Sequence, residues 1–214
     1  MSFEAPTGLV HVYRYHPDGS DLPDPIGKAN TIAAGLLYER GEIDGLFLSS
    51  GPLKAGRLSL SEVSANQIRQ DFPQIPQKSI IVAKRAATTY GEVRDYRDYL
   101  VQHGNPSMSL VNIGARDHQQ YIEPFFNYFF PGQEVKYFNF EDVLRASPYP
   151  GHQEFIANLI SSPDYRNFQR YMLNAGLIYR ASKQFPAFNE FIELGPVAHL
   201  KHWAQWAVID MLGH

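Results

Sequence analysis

The sequence predicts an α/β fold: a doubly wound, mostly parallel sheet of about five strands, followed by a helical extension. Three observations point there. Short apolar runs alternate with amphipathic helical spacing through residues 8–140. Beyond residue 141 the strand pattern stops and only helical spacing remains. The chain has 214 residues, 44% hydrophobic and 19% charged, which suffices for one well-buried core. We therefore expect a single domain over 1–214, with an α/β core at 8–140 and an extension at 141–214 packed on it. Dimerisation through the extension is the second option.

The elements follow in order. "GLVHVYRY" (Gly8 to Tyr15) is rich in β-forming residues and reads as the first strand. After the turn-rich "HPDGSDLPDPIG", Ala29, Ile32, Ala33, Leu36 and Leu37 recur at helical spacing, and Gly41 stands where that helix should end. "DGLFLSS", "SIIVA", "SLVNIG" and "EVKYFNF" supply four further strands. Helices fill the gaps, one starting near Ser59 to Glu62 and one near Thr89 to Glu92. Both have capping-box spacing, in which a hydroxyl and a carboxylate three residues on satisfy backbone donors. Another helix carries Ile122, Phe125, Phe126, Phe129 and Phe130, and Pro124 predicts that it begins close to that proline. The extension reads as helices over "HQEFIANLI", "DYRNFQRYMLNAGLIYRASKQF" and "PVAHLKHWAQWAVIDML".

Composition excludes several functions. The net charge of −3 provides no overall basic field for a nucleic-acid backbone, so no nucleic acid is expected as a partner. No cysteine is present, which rules out disulfides, thiolate catalysis and cysteine-based zinc sites and fits a reducing cytoplasm. Neither a signal peptide nor a membrane span is expected. G-x-G-x-x-G, G-x-x-x-x-G-K-[ST], H-E-x-x-H and G-x-S-x-G are all absent, against an ordinary dinucleotide dehydrogenase, P-loop NTPase, zincin or α/β-hydrolase.

In an open parallel sheet, ligands bind outside the carboxyl ends of the strands. Lys28 follows the first strand at some distance; Ser50, Gly51, Lys54 and Arg57 follow the second. Lys84, Arg85, Thr88 and Thr89 follow the third, and Arg116, Asp117 and His118 the fourth. An acidic protein that gathers cations and hydroxyls on one rim, beside helix N-termini, suits an anionic small molecule. Ser50, Gly51 and the backbone near Ser61 would hold the anion, and Lys54, Arg57 and Arg116 would neutralise it. His118 is the candidate general acid/base, because imidazole titrates near working pH. Glu62 or Glu92 would be a second proton-transfer group, although capping is the plainer reading of both. His16, Asp18, Asp21 and Asp24 read as turn chemistry rather than a metal site.

Several motifs resemble the YdcF/SanA/ElyC-like proteins of bacteria over about residues 8–130. They are Ala34, Leu37, Tyr38 and Gly41; "SSGP" from Ser49; "SEV" from Ser61; "IP" at Ile75; "ATTYGEV"; and "ARDHQQY". The chain departs from that pattern at Pro52, Asn30, Ala83, Glu92 and Tyr121. The resemblance implies a Rossmann-like fold with a pocket at the strand ends, nucleotide or adenosyl ligands such as S-adenosylmethionine, and hydrolase or transferase chemistry. Two rival readings are a non-catalytic ligand-binding or regulatory protein and a scaffold that captures a partner with its aromatic tail.

Overall fold

The computed structural model describes residues 6–13, 20–51, 57–86, 88–103 and 109–182, with side chains as far as Met172. Five strands form one sheet in the order β3-β2-β1-β4-β5, all parallel: β1 (Thr7–Val10), β2 (Gly45–Ser49), β3 (Ile80–Ala83), β4 (Leu110–Gly114) and β5 (Val135–Asn139). Strand order reverses beside β1. The chain runs outward through β2 and β3, then returns to place β4 on the other side of β1. The ends of β1 and β4 therefore flank the switch point of the sheet.

Helices cover both faces. One core joins Val10, Leu46, Leu48, Val111 and Ile113 to α1 (Pro25–Glu39), α2 (Leu60–Asp71), α5 (Phe140–Arg145), α6 (Pro150–Ser161) and α7 (Pro163–Ser182). The other joins Leu9, Phe47 and Leu110 to α3 (Thr89–Gln102) and α4 (Arg116–Phe129). Neighbouring strand residues point to opposite faces, so both strand faces are apolar and the strands read as continuous hydrophobic runs.

The helix ends explain themselves. Asp24 caps α1 through Gly27 N, with Pro25 at the first helical position. At the other end Gly41 takes φ +69°, with Gly41 N donating to Tyr38 O and Glu42 N to Leu37 O. That pair of bonds is a Schellman closure, which glycine permits without steric cost. The expected capping box on α2 is present: Ser59 accepts from Glu62 N, and Glu62 accepts from Ser59 N.

Three expectations need correction. β1 ends at Val10 instead of Tyr15; one further backbone bond, His11 N to Ile113 O at 3.1 Å, closes the pairing. α4 starts at Arg116, well before Pro124, and runs through it to Phe129. Proline removes one backbone bond, to Gln120, at about 3 kcal/mol. Gln120 is exposed, and buried Ile122, Phe125 and Phe126 on the same helix offset the loss. The cap of α3 is Thr88, one residue earlier than expected, which releases Glu92 from a capping role. The third helix expected in the extension, with His199 and His202, lies outside the described residues. Among the described residues no helix is long and apolar enough to cross a membrane.

Candidate functional site

Strand parity assembles the site. Leu9 faces α3 and α4, so His11, two residues on, faces them as well. Asn112 on β4 pairs in register with Leu9 and shares that face. His11 Nε2 lies 2.6 Å from Asn112 Oδ1, and His11 Nδ1 lies 2.6 Å from Glu92 Oε2 of α3. All three residues are buried. Both ring nitrogens of His11 are thus engaged, one by a carboxylate and one by an amide.

Continuing the β1–β4 register by one residue sets His11 opposite Gly114. Gly114 leaves little room for a side chain. A Cβ there would stand 3.1 Å from His11 Cδ2, 3.2 Å from the Tyr13 hydroxyl and 3.6 Å from His118 Nδ1. His118, on the first turn of α4, sets its ring edge-on to His11 with centroids 4.4 Å apart. It also packs against Tyr13 and Tyr121. Its Nε2 reaches Thr89 Oγ1 at 3.4 Å, and its Nδ1 is buried with no hydrogen-bond partner among the described residues. Burial, and then the neighbouring His11 charge, hold the His118 pKa well below the ordinary histidine value. His118 is therefore held as the neutral imidazole.

Further groups surround the two histidines. Asn30 Nδ2 donates to His11 O at 2.7 Å and to Ile113 O at 3.2 Å, tying β1 to β4 at the point where they part. The Tyr13 hydroxyl accepts from Ala115 N at 2.8 Å, and burial raises its pKa well above the ordinary phenol value. Glu141 of α5 accepts from Arg116 N at 3.1 and 3.2 Å and from the Tyr165 hydroxyl of α7. Burial pushes the Glu141 carboxyl up, against the downward pull of those bonds.

Of the residues expected at the site, the structure brings His118, Glu92 and Thr89 together, with Thr88 capping the same helix through Gly91 N. The others are engaged elsewhere. Glu62 pairs with Lys84 at 2.6 Å, and that contact first, then Ser59, lowers its carboxyl to about 2. It stays ionised and does not join the histidines as a second proton-transfer group. Gly51 N donates to Ala86 O and Ser50 N to Ala83 O, while the Ser61 hydroxyl donates to Ser50 O and Ala83 O. These groups knit the ends of β2 and β3 together instead of facing an anion. Arg57 is bound to Asp21 and Ser20 O, Arg116 to Asp142, and Arg85 approaches Asp95. Lys28 is exposed on the first turn of α1. Lys54, His16 and Asp18 lie outside the described residues. Among the described residues, no group of three or more His, Asp and Glu is placed to hold a metal ion.

His11, Asn112, Tyr13, Glu141 and Tyr165 were not expected at the site from the sequence, and Asn30 stood out only as a departure from the family pattern. Two left a signal: His11 and Asn112 each put a polar side chain inside an apolar strand run, where burial demands a partner. The chain matches no family model, no curated protein and no solved structure.

Proposed function

We propose that this is a YdcF-like cytoplasmic protein that binds an anionic small molecule, nucleotide-, phosphate- or adenosyl-type, at the strand ends. His118 acts on it as general acid/base in a hydrolase- or transferase-type reaction. One observation carries the reading. His118 Nδ1 is a buried nitrogen with no described partner, on a ring kept neutral beside a fully engaged His11. A buried polar atom without a partner costs about 1–3 kcal/mol, so its retention at a switch point points to use. A neutral imidazole can take a proton from a substrate hydroxyl or water. The positive charge then formed would lie beside His11, so the protonated state is short-lived and the proton returns readily to a leaving group. Glu92 and Asn112 hold His11, and Thr89 aims His118.

The rim cations support an anionic ligand only by exchange. Arg57, Lys84 and Arg116 already have carboxylate partners, but such exposed pairs are worth ~0–1 kcal/mol and open cheaply for a polyanion. S-adenosylmethionine and nucleotides are the first compounds to test, on the resemblance of the loops. The cytoplasmic setting rests on the cysteine-free sequence.

The test is a thermal-shift screen with nucleotides, sugar phosphates and adenosyl compounds, then turnover assays on whatever raises the melting temperature. His118→Ala, with His118→Asn as the volume-sparing form, should abolish turnover while affinity stays within about tenfold, roughly 1.4 kcal/mol. Loss of affinity by both variants, with no turnover in the parent, would establish a non-catalytic binder instead.

A further inference from the structure

The turn that carries His118 has no local cap. Its N-cap residue is Ala115, which has no side-chain oxygen for the first backbone N–H groups of α4. Two backbone donors at this end go to remote partners, Ala115 N to the Tyr13 hydroxyl and Arg116 N to Glu141, while His118 N closes locally on Ala115 O at 3.1 Å. Helix α7 stands behind both. Tyr165 donates to Glu141, and Gln169 Nε2 donates to Asp117 Oδ2 at 2.7 Å. Tyr165 and Gln169 are four apart, hence on one face of α7, and between them Phe168 packs edge-on against Tyr13 with centroids 5.4 Å apart. One face of α7 therefore reaches the residues just before His118 directly and through Tyr13 and Glu141.

We propose that Tyr165 and Gln169 are positioning residues for His118: through Glu141 and Asp117 they hold the first turn of α4 so that the imidazole stays edge-on to His11 with Nδ1 uncommitted. Alternative arrangements of this turn are open to the backbone, because no side chain of its own closes it. The proposal rests on the acid–base reading of His118 only for its catalytic meaning; the placement is measurable in the free protein. The groups facing His118 are His11 and Tyr13 from the first strand region, Thr89 from α3 and Tyr121 from its own helix. Glu92 stands behind His11.

The experiment is a pH titration of the full chain carrying 15N-histidine, followed by long-range proton–nitrogen spectra. There are eight histidines, and His118 and His11 are assigned by His→Asn variants. Tyr165→Phe and Gln169→Glu preserve volume; the second sets a like charge against Asp117. Each should move the His118 ring nitrogens and raise its pKa by at least about half a unit, as the ring leaves its buried setting. His103, exposed at the end of α3, should not move. If the melting temperature falls in these variants while His118 titrates as in the parent, α7 is only packing and the proposal is overturned. The two readings separate cleanly. Should His118→Asn leave turnover intact while the α7 variants still shift the titration, the acid–base reading falls and the positioning stands.

Discussion

A Cβ on Gly114 would press on buried His11 at Cδ2, 3.1 Å away, and on the hydroxyl of half-buried Tyr13 at 3.2 Å, both hydrogen-bonded elsewhere. Neither neighbour can yield without breaking a bond to Glu92, Asn112 or Ala115. Gly114→Ala should therefore destabilise by about 1–3 kcal/mol, the usual range for added volume in a packed core. Urea denaturation measures it, and a change within about 0.5 kcal/mol would show that this packing is looser than described. At this scale the sequence offers His118 and Glu92 as candidates, and it gives Glu92 two roles, cap or proton-transfer group. Spacing cannot choose between them. The choice was made by Thr88, which capped α3 and left the Glu92 carboxylate to cross to His11, 81 positions away in the chain.

Helix against helix, α1 and α2 meet at Gly35, whose absent side chain admits the Phe72 ring. A Cβ there would overlap ring carbons, including the branch carbon Cγ, so rotation of the ring cannot relieve it. Two effects of Gly35→Ala compete. Helix propensity favours alanine by about 1 kcal/mol, whereas overpacking costs about 1–3 kcal/mol or more. We expect a net loss of about 1–2 kcal/mol, with the overlap winning. Gly151, exposed in the first turn of α6 with nothing within 4 Å of its added Cβ, is the control. Gly151→Ala should be neutral or stabilise by up to ~0.5 kcal/mol. Equal effects at both sites, read from chemical denaturation, would refute the close α1–α2 contact. Element boundaries were legible wherever turn chemistry is local, as at Gly41 and the Ser59 capping box. They failed where a distant partner intervenes: Pro124 sits inside α4 because Phe125 and Phe126 are buried against the rest of the core.

For the molecule as a whole, the described part of the extension, as far as Met172, belongs to the core. Ile156, Leu159, Tyr165, Phe168 and Met172 belong to the same apolar cluster as β1, β2 and α1. Acid titrates this assembly through its buried groups. Folding depresses the His118 pKa, so between that folded value and ~6.5 the unfolded chain binds the proton more readily. Stability should fall as pH drops below ~6.5, by up to ~1.4 kcal/mol per pH unit, until pH lies below both values. Glu141 runs the other way. Its folded pKa is raised, so the cost of burying its anion is full above that value and is relieved as pH falls through it. Glu62 acts lower still, its contribution lost between 4.5 and about 2. Urea melts at pH 7.5 and 5.5 test the histidine part. His118→Asn should flatten the difference, and an unchanged slope would place the titrating group elsewhere.

What the sequence determined by itself was the parallel sheet, its five strands and the helices between them, because each follows from local periodicity, and local burial patterns survive any tertiary arrangement. It also located the carboxyl ends of those strands, the edge of an open parallel sheet at which ligands generally bind. Which side chains meet there was decided only by the tertiary structure. His11 and Asn112 meet because β1 and β4, separated by about a hundred residues, lie side by side in one register. Cations that look free in the chain found acids across the fold, and the helix N-termini beside the site were closed by Asp24, Thr88 and Glu141. Hydrogen bonds and ion pairs between remote residues carry no periodicity, so no pattern along the chain announces them.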